Sequence, residues 1–447
     1  MEGLPPNWTI ARGADLFRVI RGVTYRGSEG SREAQTGYVP LLRATNIRIG
    51  KLIFEDAMWV PQGLVSSEQM LRRGDLVVAT SSGSLDVVGK AAPVSDGVAA
   101  SPITFGAFCA TLRPHDGVEP GWIAWFLRTQ EYRDWVREEA AGININNLKA
   151  SALADLLVPT PPLAEQRRIV ARIEALFART SRARAELGRV VALAARYERQ
   201  LLASAFGHAA ETWPVVPLGN LIAAIEAGKN IRCEERRPGP GERGIVKISA
   251  VTWGEFDPTQ IKTPPPGAEL DPRGLIHDGD FLLSRANTLE LVGAPVIARG
   301  VPGYTYLSDK VLRLRFGQDV AVWVLWFLRS PQGRAEVESR ASGNQLSMRN
   351  LGQAELRAIP IPLPPAQVRV TAIRELTARL TKNRSGKAEA ARALALLDRL
   401  DAAILARAFR GELVPQDPAD KPARLPARPA GPHPRRSRAA QLPAAPP

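Results

Sequence analysis

Pro159–Ile169 reads P-T-P-P-L-A-E-Q-R-R-I, and Pro360–Val370 reads P-I-P-L-P-P-A-Q-V-R-V. Each is an apolar strand end closed by prolines and followed by a long helical pattern. The same correspondence extends outward in both directions. Pro40–Leu52 (PLLRATNIRIGKL) matches Gly244–Phe256 (GIVKISAVTWGEF), and Arg73–Val78 (RGDLVV) matches Asp278–Leu283 (DGDFLL). Gly121–Arg128 and Ala321–Arg329 share W-x-x-W-F-L-R, and Leu202–Phe206 (LASAF) matches Leu405–Phe409 (LARAF). Collinear matches at a spacing of about 200 residues are too far apart for a solenoid and indicate a duplicated pair of domains.

Each copy opens with short β-branched strands broken by Gly and Pro, followed by one amphipathic helix, from Pro120 in the first copy and near Asp319 in the second. Each block is expected to close on a strand, Leu153–Val158 or Leu356–Ile361. Then comes a long helix. Ile169, Ile173, Leu176, Thr180, Ala183, Leu187, Val190, Ala194, Tyr197 and Leu201 alternate in steps of four and three, a heptad seam over Leu163–Phe206. The second copy repeats it through Ile373, Leu376, Leu380, Asn383, Lys387, Ala390, Leu394, Leu397, Asp401, Ile404 and Ala408, with a polar middle containing Gly386. A lone helix cannot bury such a seam, so the two are expected to pair as an antiparallel coiled coil.

The fold class is therefore α+β. Residues 1–158 form a first globular block, 159–208 a central long helix, 209–361 a second block, 362–411 a C-terminal long helix, and 412–447 a disordered Pro/Ala/Arg-rich tail.

Composition excludes several classes. In 447 residues, 45% hydrophobic and 23% charged, no apolar run reaches the roughly 18 residues a membrane helix needs. The N-terminus has no signal-like segment, and two isolated cysteines, Cys109 and Cys233, make a disulfide scaffold or all-cysteine metal site untenable; a reducing cytoplasm is the expected location. The net charge of 59 − 45 = +14 is unevenly spread: residues 1–160 carry 16 − 17 = −1 and residues 211–360 carry 18 − 17 = +1, so the excess sits on the helices and tail.

Catalytic patterns are missing. The four histidines (His115, His208, His277, His433) have no ligand spacing, so no metal site is expected. Ser84–Ala91 (SLDVVGKA) resembles a phosphate loop but lacks its first Gly and the hydroxyl after Lys90. No G-x-G-x-x-G, no Asp/Glu two residues before a lysine, and no N-P-P-Y-type motif for a flipped base is present. No catalytic residue is assigned.

Polar stretches after the repeated strands are the candidate DNA contacts. In the first block these are Arg43, Thr45, Asn46, Arg48 and Lys51; Thr80, Ser81, Ser82 and Lys90; and Asn144, Asn146, Asn147 and Lys149. In the second they are Lys247, Ser249, Thr252 and Trp253; Ser284, Arg285, Asn287 and Thr288; and Asn344, Gln345, Ser347 and Arg349. Arg matches guanine and Asn or Gln matches adenine with two hydrogen bonds each, while Lys and Ser hold phosphates. Equivalent positions carrying different residues suit readers of two different sequences. The bland alternatives are turn formation by Asn, Ser and Gly, core packing by Trp122, Trp125, Trp323 and Trp326, and a solvated face for Arg167, Arg168, Arg172, Arg179, Arg182 and Arg184.

P-P-L-A-E-Q-R-R-I-V (Pro161–Val170), its weaker copy at Pro364–Val370, and A-I-L-A-R-A-F-R-G-E-L-V-P-Q-D-P (Ala403–Pro418) resemble the specificity subunits of type I restriction–modification enzymes. The resemblance runs to about residue 418, in the order block, helix, block, helix. It implies two target recognition domains, each reading half of an asymmetric bipartite site in double-stranded DNA, with the helices as spacer and docking surface for two methylation subunits. It also implies that restriction subunits join, that S-adenosylmethionine, ATP and Mg²⁺ act in those partners, and that this chain catalyses nothing. Docking would fall on Glu165, Gln166, Arg168 and Arg172, and on Arg407, Phe409 and Arg410. Ala366-Gln367-Val368 stands where the acidic residue is expected, implying a weaker or different contact there. The competing classes are the specificity part of a type II-like restriction–methylation system and a coiled-coil protein scaffold without DNA binding.

Overall fold

The computed structural model describes residues 4–140, 146–252, 254–317, 320–345 and 348–421, with only the backbone of Asn344 and Gln345. The chain divides into two compact units, Met1–Ala185 with Leu394–Pro447, and Glu186–Ala393. Both long helices, Leu163–Phe206 and Ala366–Phe409, are 44 residues long, and each contributes one part to each unit.

Among the described residues of the first unit, Phe17–Arg21, Cys109–Pro114, Leu76–Ala79 and Ala91–Pro93 form an antiparallel sheet in that order. A smaller sheet joins Thr104–Phe105, Tyr38–Leu42 and Met58–Pro61. The second unit repeats both. Ile222–Ala227, Val311–Phe316, Phe281–Ser284 and Pro295–Ile297 form one sheet, and Ile261–Lys262, Gly244–Val246 and Thr305–Tyr306 the other. Leu76–Ala79 and Phe281–Ser284 are buried along their whole length, which explains runs of apolar residues instead of alternation.

The repeated Gly-Asp before these strands places a carboxylate inside. Arg113 makes a bidentate pair with Asp75 (2.8 and 2.7 Å), and Asp280 receives both Arg313 and Arg315 at 2.8 Å. A buried charge stands only when it is paired and hydrogen-bonded in this way. The repeated Val-Gly is equally structural. Gly89 (φ +77°) and Gly293 (φ +71°) turn between strands, and a Cβ would lie 2.7 Å from Val136 or 2.5 Å from Val337. The phosphate-loop look of Ser84–Ala91 is thus a packing requirement.

Each block carries a helix pair where one helix was expected: Pro120–Phe126 with Gln130–Ala140, and Ala321–Arg329 with Pro331–Arg340. The break is a hydroxyl cap. Thr129 Oγ1 donates to Phe126 O (2.8 Å) and accepts from Tyr132 N (3.2 Å), while Ser330 Oγ does the same with Phe327 O and Gly333 N. The closing strands are shorter and later than expected. Ala150–Asp155 and Gln353–Arg357 are helical, and the strands are Leu157–Thr160 and Pro360–Pro362. Their prolines fit because the pairing is two-stranded, with Thr9–Arg12 and Val215–Pro217 respectively.

Trp122 and Trp323 anchor the two cores. Trp122 Nε1 donates to Pro159 O (3.0 Å) and Trp323 Nε1 to Pro362 O (2.7 Å), the same bond in both repeats. In the first unit Ile169 and Ile173 meet Ile404, Leu405, Ala408 and Phe409 around Trp122. In the second, Leu202 and Phe206 meet Leu376 and Leu380 around Trp323. The end of one helix therefore packs beside the start of the other, which makes the pairing antiparallel in each unit. Arg184 bridges to Asp398 (2.7 Å) and Asp401 (3.2 Å) in the first unit; Asn383 Nδ2 donates to Ala194 O (2.9 Å) in the second.

The seam departs from a strict heptad beyond Leu187. Val190 and Tyr197 are exposed, Ala194 keeps its buried seam position, and Leu202 is buried where the pattern placed the half-buried Leu201. A straight helix of 3.6 residues per turn drifts about 20° per heptad, so a 4-3 pattern rotates off the contact. The C-terminal boundary also moves. Leu413 and Val414 pack on the first core, Gln416 donates to Glu165 (2.6 Å) and Arg168 pairs with Asp420 (2.6 Å), so the packed chain continues to Asp420 instead of stopping at 411. The rest of the tail lies outside the described residues.

Candidate nucleic-acid interface

The second and third polar clusters meet in both blocks. Ser81–Ser82 pairs with Asn146–Asn147, and Ala286–Asn287 with Met348–Asn350, aligning Asn287 with Arg349. Each small platform is assembled from the loop after a buried strand and the segment after the helix pair. In the second block Arg285 and Arg349 are half-buried, and each Nε lacks a hydrogen-bond partner among the described residues. Arg349 lies on the strand paired with Ala286–Asn287 and Arg285 just before that pairing, and since both Nε atoms are buried, an acceptor brought from outside would meet the guanidinium ends.

In the first block the first cluster joins this surface through a hairpin. Arg48 pairs with Lys51 across Ile47–Arg48 and Lys51–Leu52, both are exposed, and Gly50 (φ +72°) turns between them. Gly50 N donates to Ala91 O (2.9 Å), which sets the turn beside half-buried Lys90. Like charges directly opposite on a hairpin repel, and an anion would relieve them.

Other candidates are placed differently. Asn46 is buried: its Oδ1 accepts from Arg43 N (2.9 Å) and its Nδ2 donates to Glu55 O (3.0 Å), so it shapes the turn and is removed as a base reader. Arg43 is half-buried and donates to Asp56 O (2.6 Å). Ser284 is fully buried within its strand and is likewise removed. Lys247 is paired with Glu235, Ser249 donates to Gln260 (2.9 Å), and Thr252 is half-buried. Asn146 is half-buried and Lys149 exposed, just before the helix Ala150–Asp155. Asn344 and Gln345 lie on strand Ser342–Gln345 by their backbone, while Asn144, Trp253 and Ser347 lie outside the described residues.

Three docking candidates turn inward. Glu165 and Gln166 are buried, Gln166 accepting from Glu119 N (3.0 Å) and donating to Pro161 O (2.9 Å). Burial raises the Glu165 carboxyl above its ordinary range, against the hydrogen bond from Gln416. Phe409 is buried 4.2 Å from Trp122. These serve the chain's own fold, and Arg168 is occupied by Asp420. Arg172, Arg407 and Arg410 are exposed.

The arginine closing W-x-x-W-F-L-R links the reading loops to the long helices, and its role is not legible in the sequence. Arg128 stacks over Trp125 (4.2 Å) and Phe177 (5.1 Å), and Gly50 sits against its guanidinium. Arg329 lies over Trp326 (5.3 Å) and donates to Pro295 O (2.8 Å) and Gly254 O. Gly50 and Gly254 are equivalent in the repeat. The available signal was a charge repeated at the end of two otherwise apolar motifs.

Among the described residues no group of His, Cys, Asp or Glu could hold a metal, and no helix is long and apolar enough to cross a membrane.

No family model matches the chain. It is 31% identical to the type I restriction enzyme EcoKI specificity subunit of Escherichia coli (strain K12), over 94% of this chain and 92% of that protein. It is 28% identical to the StySPI specificity subunit of Salmonella potsdam over the same shares. A solved chain from work on complex assembly and conformational transition of the type I R-M system has the same fold, with a TM-score of 0.64 at 19% identity over 92% of this chain and 100% of that one.

Proposed function

This chain belongs to the specificity subunits of type I restriction enzymes, and on that premise we propose that its two blocks read the two halves of an asymmetric bipartite site in double-stranded DNA. It is a non-catalytic subunit of its complex. The observation that carries the reading is the pair of platforms, Ser81–Ser82 with Asn146–Asn147 and Ala286–Asn287 with Met348–Asn350, built by antiparallel pairing of equivalent segments of the two repeats and differing in side chains. Equivalent placement with different side chains selects different bases.

Two methylation subunits dock on the helices and restriction subunits join the complex, bringing S-adenosylmethionine, ATP and Mg²⁺, and the complex works in the cytoplasm. Exposed apolar pairs one helical turn apart support docking in each unit taken by itself. Leu193 is 62% and Tyr197 44% exposed in the second unit, and Leu396 60% and Leu400 48% in the first. Large apolar side chains grouped on a helix surface suit a partner helix.

The test is exchange of residues 1–158 for another family member's first block, followed by genome-wide methylation mapping. One half of the methylated sequence should change and the other persist. Change in both halves, or in neither, refutes the assignment.

A further inference from the structure

The second unit holds a groove of about 700 Å³ where its tryptophan helix meets both long helices. Arg199, Arg329, Arg334, Arg384 and Lys387 line it, against Glu198, Glu255 and the Glu338 that pairs with Arg334 (2.9 Å), an excess of 5 − 3 = +2. Three of these cations form the walls. Arg329 is tied to Pro295 O and Gly254 O, Arg334 to Val292 O (2.6 Å) and Leu289 O (2.9 Å), and Arg384 to Glu198 (2.7 Å). Arg199 and Lys387 are exposed on the two helices and carry no ion pair among the described residues. Burial, with the charge of Arg384 next, pushes Arg329 down to about 10.

In the first unit Asp398 and Asp401 both bind Arg184, and Asp401 also acts on Arg128. Lys387 and Arg199 of the second unit have no acidic partner of this kind among the described residues. Arg334 in the wall is tied to Leu289 O and Val292 O, which follow the platform strand Ala286–Asn287 directly, so the groove adjoins the candidate reading surface.

We propose that this groove binds one backbone phosphate of the DNA beside the half-site read by the second block. The inference rests on the DNA-recognition reading above. Forked guanidiniums and a free ammonium match a phosphodiester oxygen pair, and they carry no information about base identity. Arg199 and Lys387 make the contact; Arg384 and Arg329 supply the field behind it.

The full chain, assembled with its methylation subunits, is compared with the doubly substituted chain Arg199→Gln, Lys387→Gln. Both side chains are solvent-exposed, and co-purification of the complex verifies folding. DNA affinity is measured over a salt series on cognate and unrelated duplexes. The slope of log affinity against log salt should fall by about 0.9 for the lost phosphate contact, equally on both duplexes, with the methylated sequence unchanged. Duplexes carrying one neutral methylphosphonate, walked along the DNA beside the second half-site, should show one position that weakens the native complex and has no further effect on the variant. That arm separates a DNA phosphate from a free phosphate compound. An unchanged slope in a DNA-binding variant, or no sensitive methylphosphonate position, overturns the groove and leaves the half-site reading intact. A native complex that binds DNA without sequence preference overturns both.

Discussion

Phe409 lies at the far end of the chain from the block it supports, and its removal should expose that dependence. Its ring is 4.2 Å from Trp122 and 5.4 Å from Phe126, and the residue is 3% exposed. Phe→Ala in such a core costs about 3–5 kcal/mol, through lost apolar transfer and the cavity left behind. At about 1.4 kcal/mol per factor of ten, this raises the open population of the first unit roughly one hundred- to several-thousand-fold. Hydrogen exchange read by mass spectrometry resolves the effect by region. Amides of Phe17–Arg21 and Cys109–Pro114 should lose protection in Phe409→Ala by that factor, and those of Phe281–Ser284 should keep theirs. Phe206→Ala supplies the mirror experiment, because Phe206 packs 4.8 Å from Trp323 and 5.6 Å from Phe327. Unchanged protection of Phe17–Arg21 in Phe409→Ala, or a loss spread equally over both units, would refute the idea that the last helix turn secures the first block.

Arg285→Ala should relax base choice at one position and cost roughly 1–3 kcal/mol if the guanidinium grips guanine; equal losses across all sequences would assign it to phosphate. Asp75→Ala leaves the Arg113 charge buried without its bidentate partner, so denaturant unfolding should show a loss of about 3–5 kcal/mol, and a loss below 1 kcal/mol would show that water or another group replaces it. Seven residues inserted near Leu187 and at the matching point of the second helix lengthen each by about 10 Å while keeping the seam in phase. Methylation mapping should then return the same half-sites with a changed gap, whereas an unchanged gap in an active insertion variant would mean that the helices do not set the spacing.

The sequence by itself determined the duplication, the two long helices and the absence of recognisable catalytic motifs. Those signals are local or periodic. A repeated W-x-x-W-F-L-R needs only its neighbours in the chain to be read, and the first helix runs over Leu163–Phe206 as its pattern predicts. Tertiary structure alone decided which polar residues remain available. Asn46 and Ser284 belong to the same polar stretches as Arg48 and Arg285, yet packing buries the first two and leaves the others at least partly open. Periodicity likewise counted Val190 and Tyr197 into the seam, because small angular errors accumulate along a helix and only the partner's surface shows which face is covered. Phe409 beneath the first block, Arg128 and Arg329 beneath the reading loops, and the contacts of Gln416 and Asp420 with the first helix all join residues far apart in the chain. Such contacts depend on complementary shape and charge brought together only after the chain has folded, and no local pattern encodes them.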